Sequence, residues 1–134
     1  MESGHCARYL FRVDGAAIFQ QAINFLRQHE SVDDAPKLPP LSQSSAASAA
    51  TGAKLYDELA VLLAQRYASG ELSFEEADYL ANQWWGMMLK GDEWSDLYYE
   101  VYEAFDAGET READVQERTD PAIRKIVARF NKTD

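Results

Sequence analysis

The stretch SFEEADYLANQWWGMM, residues 73–88, contains a clear signal for a helix and for the residue at which it begins. Ser73 and Glu76 have the spacing of a capping box, in which the serine hydroxyl accepts from the glutamate amide and the glutamate side chain reaches back. Apolar side chains then recur at intervals of three and four, at Phe74, Ala77, Ala81, Trp84, Trp85 and Met88. This pattern predicts a helix that begins after Ser73 and ends near Gly91.

Similar patterns on both sides of this stretch predict an all-α protein. A helix from about Ala53 to Ala68 has Gly70 as its stop, and a polar loop is expected over residues 109–118. Another helix is predicted over about 16–29, and a last helix is predicted to begin at Asp120-Pro121. Between them, a helix over about 95–107 has Asp92 or Ser95 as its cap. Its predicted buried residues are Leu97, Val101, Ala104 and Phe105. The expected fold is a bundle of four or five helices with a disordered linker after the first helix.

The composition of residues 33–53 predicts that linker. This segment contains three of the chain's prolines and almost no bulky apolar groups after Leu41, so it offers little area to bury. We therefore expect an N-terminal helical segment at 1–32, a flexible linker at 33–53 and an acidic helical domain at 54–134. Whether the first 30 residues pack on the rest of the chain stays open at this stage.

The charge of the chain argues against several classes of partner. Twenty-three acidic residues against 13 basic ones leave a formal charge of −10, which repels nucleic acid and anionic lipid. The densest apolar run, Trp84–Leu89, is too short to span a bilayer, and the N-terminus lacks the pattern of a secretion signal. The single cysteine, Cys6, permits no internal disulfide, so a cytoplasmic location is expected.

The sequence offers little catalytic or metal-binding equipment. Its imidazoles are His5 and His29, and neither pairs with Cys6 in a recognisable nucleophilic arrangement. The acidic segment 106–117 resembles a calcium-binding loop only in part, because Gly108 and Arg111 stand where a ligand and a glycine are required. We therefore expect no enzymatic activity, no metal and no cofactor.

The most unusual feature is the segment 92–117, which contains ten acidic residues and one basic residue. Asp96, Glu100 and Glu103 follow one face of the predicted fourth helix, although like charges at this spacing destabilise a helix. Tyrosines lie among them, and such rings beside carboxylates suit a basic protein partner. The predicted partner-binding residues are Asp92, Asp96, Tyr98, Tyr99, Glu100, Tyr102 and Glu103. The competing interpretation is that the basic last helix neutralises this face within the same chain.

Two short stretches resemble known families. Ser95-Asp96-Leu97-Tyr98-Tyr99 is similar to the acidic, paired-tyrosine segment of colicin nuclease immunity proteins, although Glu100 stands where that family has proline. Residues 69–76, SGELSFEE, resemble the helix connection of other small helical immunity proteins. The resemblance implies an inhibitor of a basic nuclease toxin, with Asp96, Tyr98 and Tyr99 facing it.

A second hypothesis assigns the protein to a different class. A helical structural or regulatory subunit could form a homodimer, or dock in a larger complex, through its N-terminal helix and a surface made by Trp84, Trp85 and Met88. The sequence does not decide between a monomer and a homodimer.

Overall fold

The fold is given by a computed structural model that describes residues 15–29, 37–38, 52–91 and 93–131. Within these ranges the chain is all-α, as predicted, and contains no strand. The helices are α1 (residues 15–26), α2 (Gly52–Ala68), α3 (Phe74–Lys90), α4 (Asp96–Asp106), the single turn α5 (Glu112–Asp114) and α6 (Asp120–Asn131).

The start of α3 is the predicted capping box. The Ser73 hydroxyl accepts from the Glu76 amide at 3.1 Å, and the Ser73 amide donates to Glu76 Oε1 at 3.0 Å. Glu76 also receives the guanidinium of Arg27, whose Nε lies 3.0 Å from Oε2. This hydrogen bond lowers the pKa of the Glu76 carboxyl. The cap of α3 therefore also ties it to the residue that follows α1.

The turn between α2 and α3 depends on Gly70. This residue has φ of 87°, in the left-handed region that glycine occupies without steric cost. The amides of Glu71 and Leu72 then donate to the carbonyl of Arg66, at 3.0 and 3.2 Å. The predicted end of α2 is confirmed, because these bonds satisfy a carbonyl that the last helical turn leaves open.

One hydrophobic core includes the N-terminal helix. Phe19 of α1 is fully buried, and its ring centroid lies 5.4 Å from that of Trp84 in α3. Ile18, Ile23 and Leu26 are buried beside it. Each such side chain contributes about 1.5–3 kcal/mol by leaving water. Residues 15–26 therefore pack on the rest of the chain, which the sequence alone had left open. The helix predicted over 16–29 ends at residue 26, and residues 27–29 form a turn.

Part of the predicted linker is anchored. Leu38 is buried, and its amide donates to Oε1 of Gln83 in α3 at 3.0 Å. The prediction of a flexible linker over 33–53 is therefore wrong at Leu38. It is also wrong at Ala53, which belongs to α2. The rest of that segment, apart from Lys37 and the start of α2, lies outside the described residues, as does the chain before residue 15.

The loop predicted over 109–118 is wrong for most of its length. Residues Glu112–Asp114 form α5, and a π-helical stretch, Val115–Thr119, continues from it directly into α6. Asp114, one of the polar residues that suggested a loop, is buried and accepts from Arg111 Nη2 at 2.7 Å. Just after the predicted loop, Thr119 is buried as well, and its Oγ1 donates to the Ala104 carbonyl at 2.6 Å. Asp120, where a separate last helix was predicted to begin, instead continues this helical segment, and its Oδ1 accepts from the Tyr67 hydroxyl at 2.6 Å.

Candidate protein-binding surface

Ser95 fixes the start of α4. Its hydroxyl oxygen accepts from the Tyr98 amide at 2.9 Å, which makes it the N-cap. The same hydroxyl donates to Oδ1 of Asp57 in α2 at 2.5 Å. Asp92, the other predicted cap and a predicted site residue, lies outside the described residues. The first bond orders the start of α4, and the second holds that start against α2.

Tyr98 does not belong to the surface, and the expectation that it faces a partner is wrong. The residue is 0% exposed, and its hydroxyl donates to the Ala81 carbonyl in α3 at 2.7 Å. Its ring packs edge-on against Tyr56, with centroids 5.7 Å apart. Burial raises the pKa of this phenol well above its ordinary value. Its spacing of three and seven from Val101 and Phe105, both buried, is the sequence signal that could have placed it inside.

Four aromatic residues form a connected group, here called the ring cluster: Trp85, Trp94, Tyr99 and Tyr102. Trp85 of α3 stacks on Tyr102 of α4, with centroids 4.2 Å apart and planes within 8°. The rings of Trp85, Trp94 and Tyr99 lie 5.6 to 5.7 Å from one another. Trp94 is 48% exposed and Tyr99 41% exposed. The cluster therefore presents aromatic area to solvent in a fixed arrangement.

The sequence predicted only part of this cluster. Tyr99 and Tyr102 were predicted site residues, whereas Trp85 belonged to the predicted apolar pattern of α3 and to the alternative docking surface, and Trp94 was not among the predicted site residues. Trp85 does lie at the edge, half-buried, beside a fully buried Trp84. The alternative docking surface made by Trp84, Trp85 and Met88 is wrong for Trp84 and Met88, because each of these two residues is only 1% exposed.

The acidic face of α4 is partly neutralised by the chain itself. Glu100 Oε1 lies 2.7 Å from Arg129 Nη2 of α6. Glu100 and Glu103 also line a cavity of about 420 Å³ together with Arg118 and Lys125. The competing interpretation is therefore correct for Glu100, which a salt bridge joins to α6.

Asp96 lies in a different environment on the same helix. Its Oδ1 accepts from the indole N–H of Trp94 at 2.8 Å. A neutral donor orients this carboxylate without cancelling its charge. Asp96 is exposed, and its hydrogen bond joins the acidic face of α4 to the ring cluster.

Two carboxyl groups, those of Asp78 and Glu109, lie near Tyr102. Burial, together with the side chain of Glu109 and the charge of Asp106, raises the pKa of Asp78 in α3 to about 8. Oδ1 of Asp78 is buried and makes no hydrogen bond within the described part of the chain. Asn82 connects α3 to the turn after α4, because its Nδ2 donates to the backbone carbonyl of Asp78 at 2.8 Å and to Glu109 Oε2 at 3.0 Å. Burial and the neighbouring acids therefore favour the protonated form of the Asp78 carboxyl.

Comparisons with known proteins and with membrane and metal-site patterns give no assignment. No protein-family model, curated protein or solved structure matches the chain. In the described ranges, no helix has the length and apolar character needed to cross a bilayer. Among the same residues, no group of three or more His, Cys, Asp or Glu side chains is arranged to hold a metal ion.

Proposed function

We propose that this protein is a non-enzymatic acidic helical module that binds a basic protein and inhibits or regulates it through the ring cluster and the acids beside it. The observation that carries the proposal is the exposure of Trp94 and Tyr99, each more than 40% exposed, in a group of four contacting rings. Asp96 and Glu103 lie exposed on the helix that supplies two of those rings.

The rings supply the binding energy in this proposal. Tryptophan and tyrosine dominate the residues whose truncation costs most at protein interfaces. Stacking of Trp85 on Tyr102 and contact of Trp94 with Tyr99 already restrict these side chains, so little side-chain entropy is lost on binding. Leu89 is 56% exposed and lies one turn after Trp85 on α3, which extends the apolar area.

The acids select a basic partner. A net charge of −10 raises the encounter rate with a cationic protein and repels an anionic one. Glu100 is bound to Arg129, but both side chains are about half exposed, at 47% and 51%. Such a pair is worth about 0–1 kcal/mol, so a partner's arginine or lysine can replace Arg129 at little cost.

The most concrete partner in this proposal is a basic nuclease toxin held inactive in the cytoplasm. The resemblance of residues 95–99 to colicin nuclease immunity proteins supports this choice, with Asp96 and Tyr99 as the toxin-facing residues. Tyr98 is excluded from that role by its burial. In this arrangement the carboxylates occupy the groove in which the toxin binds phosphate.

The test is affinity capture at low salt from cells that encode the protein, with wild type, Tyr99→Ala and Tyr99→Phe as baits. We expect a basic protein to bind the wild type and Tyr99→Phe, and its affinity for Tyr99→Ala to fall at least about tenfold. The phenylalanine variant is the matched control because it keeps the ring. Capture of no basic protein, or equal capture by Tyr99→Ala, would contradict the proposal.

A second candidate is a homodimer formed through the same exposed rings. The exposure of Leu89 and Trp94 favours it, because apolar side chains grouped on a surface are often covered by another chain. Sedimentation equilibrium without any partner distinguishes the two functions. A dimer that survives high salt and dissociates in Tyr99→Ala supports the second candidate, and a monomer supports the first.

A further inference from the structure

A groove lies next to the ring cluster and is lined in part by Trp94. It runs between α2 and α4, is flanked by the start of α1 and the end of α6, and has a volume of about 770 Å³. This volume falls within the range of about 300–1,000 Å³ typical of ligand sites. Its apolar walls are formed by Ala16, Ala53, Val61, Leu62, Leu97 and Phe130.

The same groove is lined by carboxylates. Asp57 and Asp96 contribute to it, and no lysine or arginine is among its described lining residues. Asp57 accepts from the Ser95 hydroxyl and Asp96 from the Trp94 indole, so neutral donors orient both carboxylates. The groove thus differs from the α6 side of α4, where Arg129 compensates Glu100.

Apolar walls with an acidic lining are complementary to an apolar group that carries a nearby cation. An amphipathic basic helix has this chemistry, because its leucine-like anchors recur every three or four residues beside lysine or arginine. Trp94 belongs both to the ring cluster and to the lining of the groove, so one partner can cover both surfaces without a gap.

We propose that the groove is a second part of the same interface, which receives a basic amphipathic helix of the partner. Bulky apolar side chains of that helix enter between Leu62 and Leu97, and its cations approach Asp57 and Asp96. This inference rests on the proposed function, because it assigns a second contact to the same basic partner.

The probe for this site is a short synthetic helical peptide of leucine and lysine, with a leucine and glutamate peptide of the same pattern as control. In NMR titrations of the full chain, we expect the lysine peptide to shift the methyl signals of Val61, Leu62 and Leu97 and the indole signal of Trp94. The glutamate peptide should cause no such shifts. Equal binding of both peptides, or binding of neither, overturns the proposal.

Filling the groove provides the second arm of the test. Ala53 and Ala16 are exposed lining residues, so Ala53→Trp or Ala16→Trp places a large ring in the groove without altering the core. We expect either variant to weaken the lysine peptide at least about tenfold. Ala68→Trp, at an exposed position on α2 that does not line the groove, should bind as the wild type does. Equal affinity in all of these variants overturns the proposal.

The outcomes separate this inference from the proposed function. If Tyr99→Ala loses the basic partner while Ala53→Trp and Ala16→Trp bind it fully, the proposed function is supported and the proposed role of the groove is overturned. Retention of the partner in Tyr99→Ala removes the function whatever the peptide does. If the wild type forms a dimer in the absence of any partner or peptide, and Ala53→Trp converts that dimer into a monomer, the groove is occupied by a second copy of this chain. The proposed occupant is then wrong.

Discussion

At the level of single residues, Tyr98 and Tyr99 are neighbours in sequence with opposite surroundings. The Tyr98 hydroxyl is enclosed and donates to the Ala81 carbonyl, whereas Tyr99 is 41% exposed beside Trp94. An enclosed hydroxyl must keep its hydrogen bond, because the loss of one partner leaves the other without water to replace it. The two phenols therefore have different tasks, one in folding and one at the surface.

The matched pair Tyr98→Phe and Tyr99→Phe tests this division. We expect Tyr98→Phe to lower the free energy of unfolding by about 1 kcal/mol, because the hydrogen bond to Ala81 is lost in a buried site. Tyr99→Phe should stay within about 0.5 kcal/mol of the wild type, as exposed substitutions usually do. Urea denaturation measures both values, and equal losses in the two variants would contradict the assignment.

The sequence of α4 alone was compatible with two buried faces. Leu97, Val101 and Phe105 share one face by spacing, and Tyr98, Val101 and Phe105 share another. The structure buries Tyr98 and leaves Leu97 half-buried in the groove wall. The choice depends on the Ala81 carbonyl of α3 and on Tyr56 of α2, and neither long-range contact is encoded in the local pattern.

At the level of elements, the helix ends marked by a capping side chain or a glycine turn were predictable, whereas the end of α1 and the helical continuation through 112–119 were not. The capping box at Ser73, the glycine turn at Gly70 and the cap at Ser95 all depend on residues within one turn of the helix end. The helical path through 112–119 is instead in contact with a distant part of the chain, because the Thr119 hydroxyl donates to the Ala104 carbonyl of α4. Local polarity was therefore a misleading signal for a loop there.

The contact of α3 with the turn after α4 predicts a dependence of stability on pH. Asp78 has a pKa of about 8 in the folded chain, against an ordinary value of 3.8, with Glu109, Asp106 and Tyr102 nearby. Between these two pH values the unfolded chain releases a proton that the folded chain keeps. The contribution of this group to stability therefore falls as pH rises from about 4 to about 8, and changes little above that.

Replacement of Asp78 by asparagine should remove this dependence. Asparagine cannot ionise and retains an N–H donor that can face Glu109. We expect Asp78→Asn to melt at a higher temperature than the wild type at pH 8, with a difference that shrinks as the pH falls towards 4. Thermal unfolding followed by circular dichroism at a series of pH values measures this. A constant difference across the series would contradict the assigned pKa.

At the level of the whole molecule, the distribution of charge decides which surface remains available. The sequence predicted an acidic face on α4 and a basic last helix, and it left open whether the two meet. They meet through Glu100 and Arg129, on the side of α4 that faces α6. The ring cluster and the groove at Asp57 and Asp96 lie where the described hydrogen bonds come from neutral groups. Packing, rather than composition, made this distinction.

The central claim is that exposed rings and nearby carboxylates on α4 recognise a basic protein, and the association rate constant tests it most directly. It should be measured by stopped flow at several salt concentrations for the wild type, Glu103→Lys and Glu117→Lys. Both variants change the net charge equally at exposed positions, but Glu117 lies in the π-helical segment rather than on α4. The account predicts a rate that falls with salt and that Glu103→Lys alone lowers about tenfold. A rate independent of salt, or an equal reduction in both variants, would contradict it.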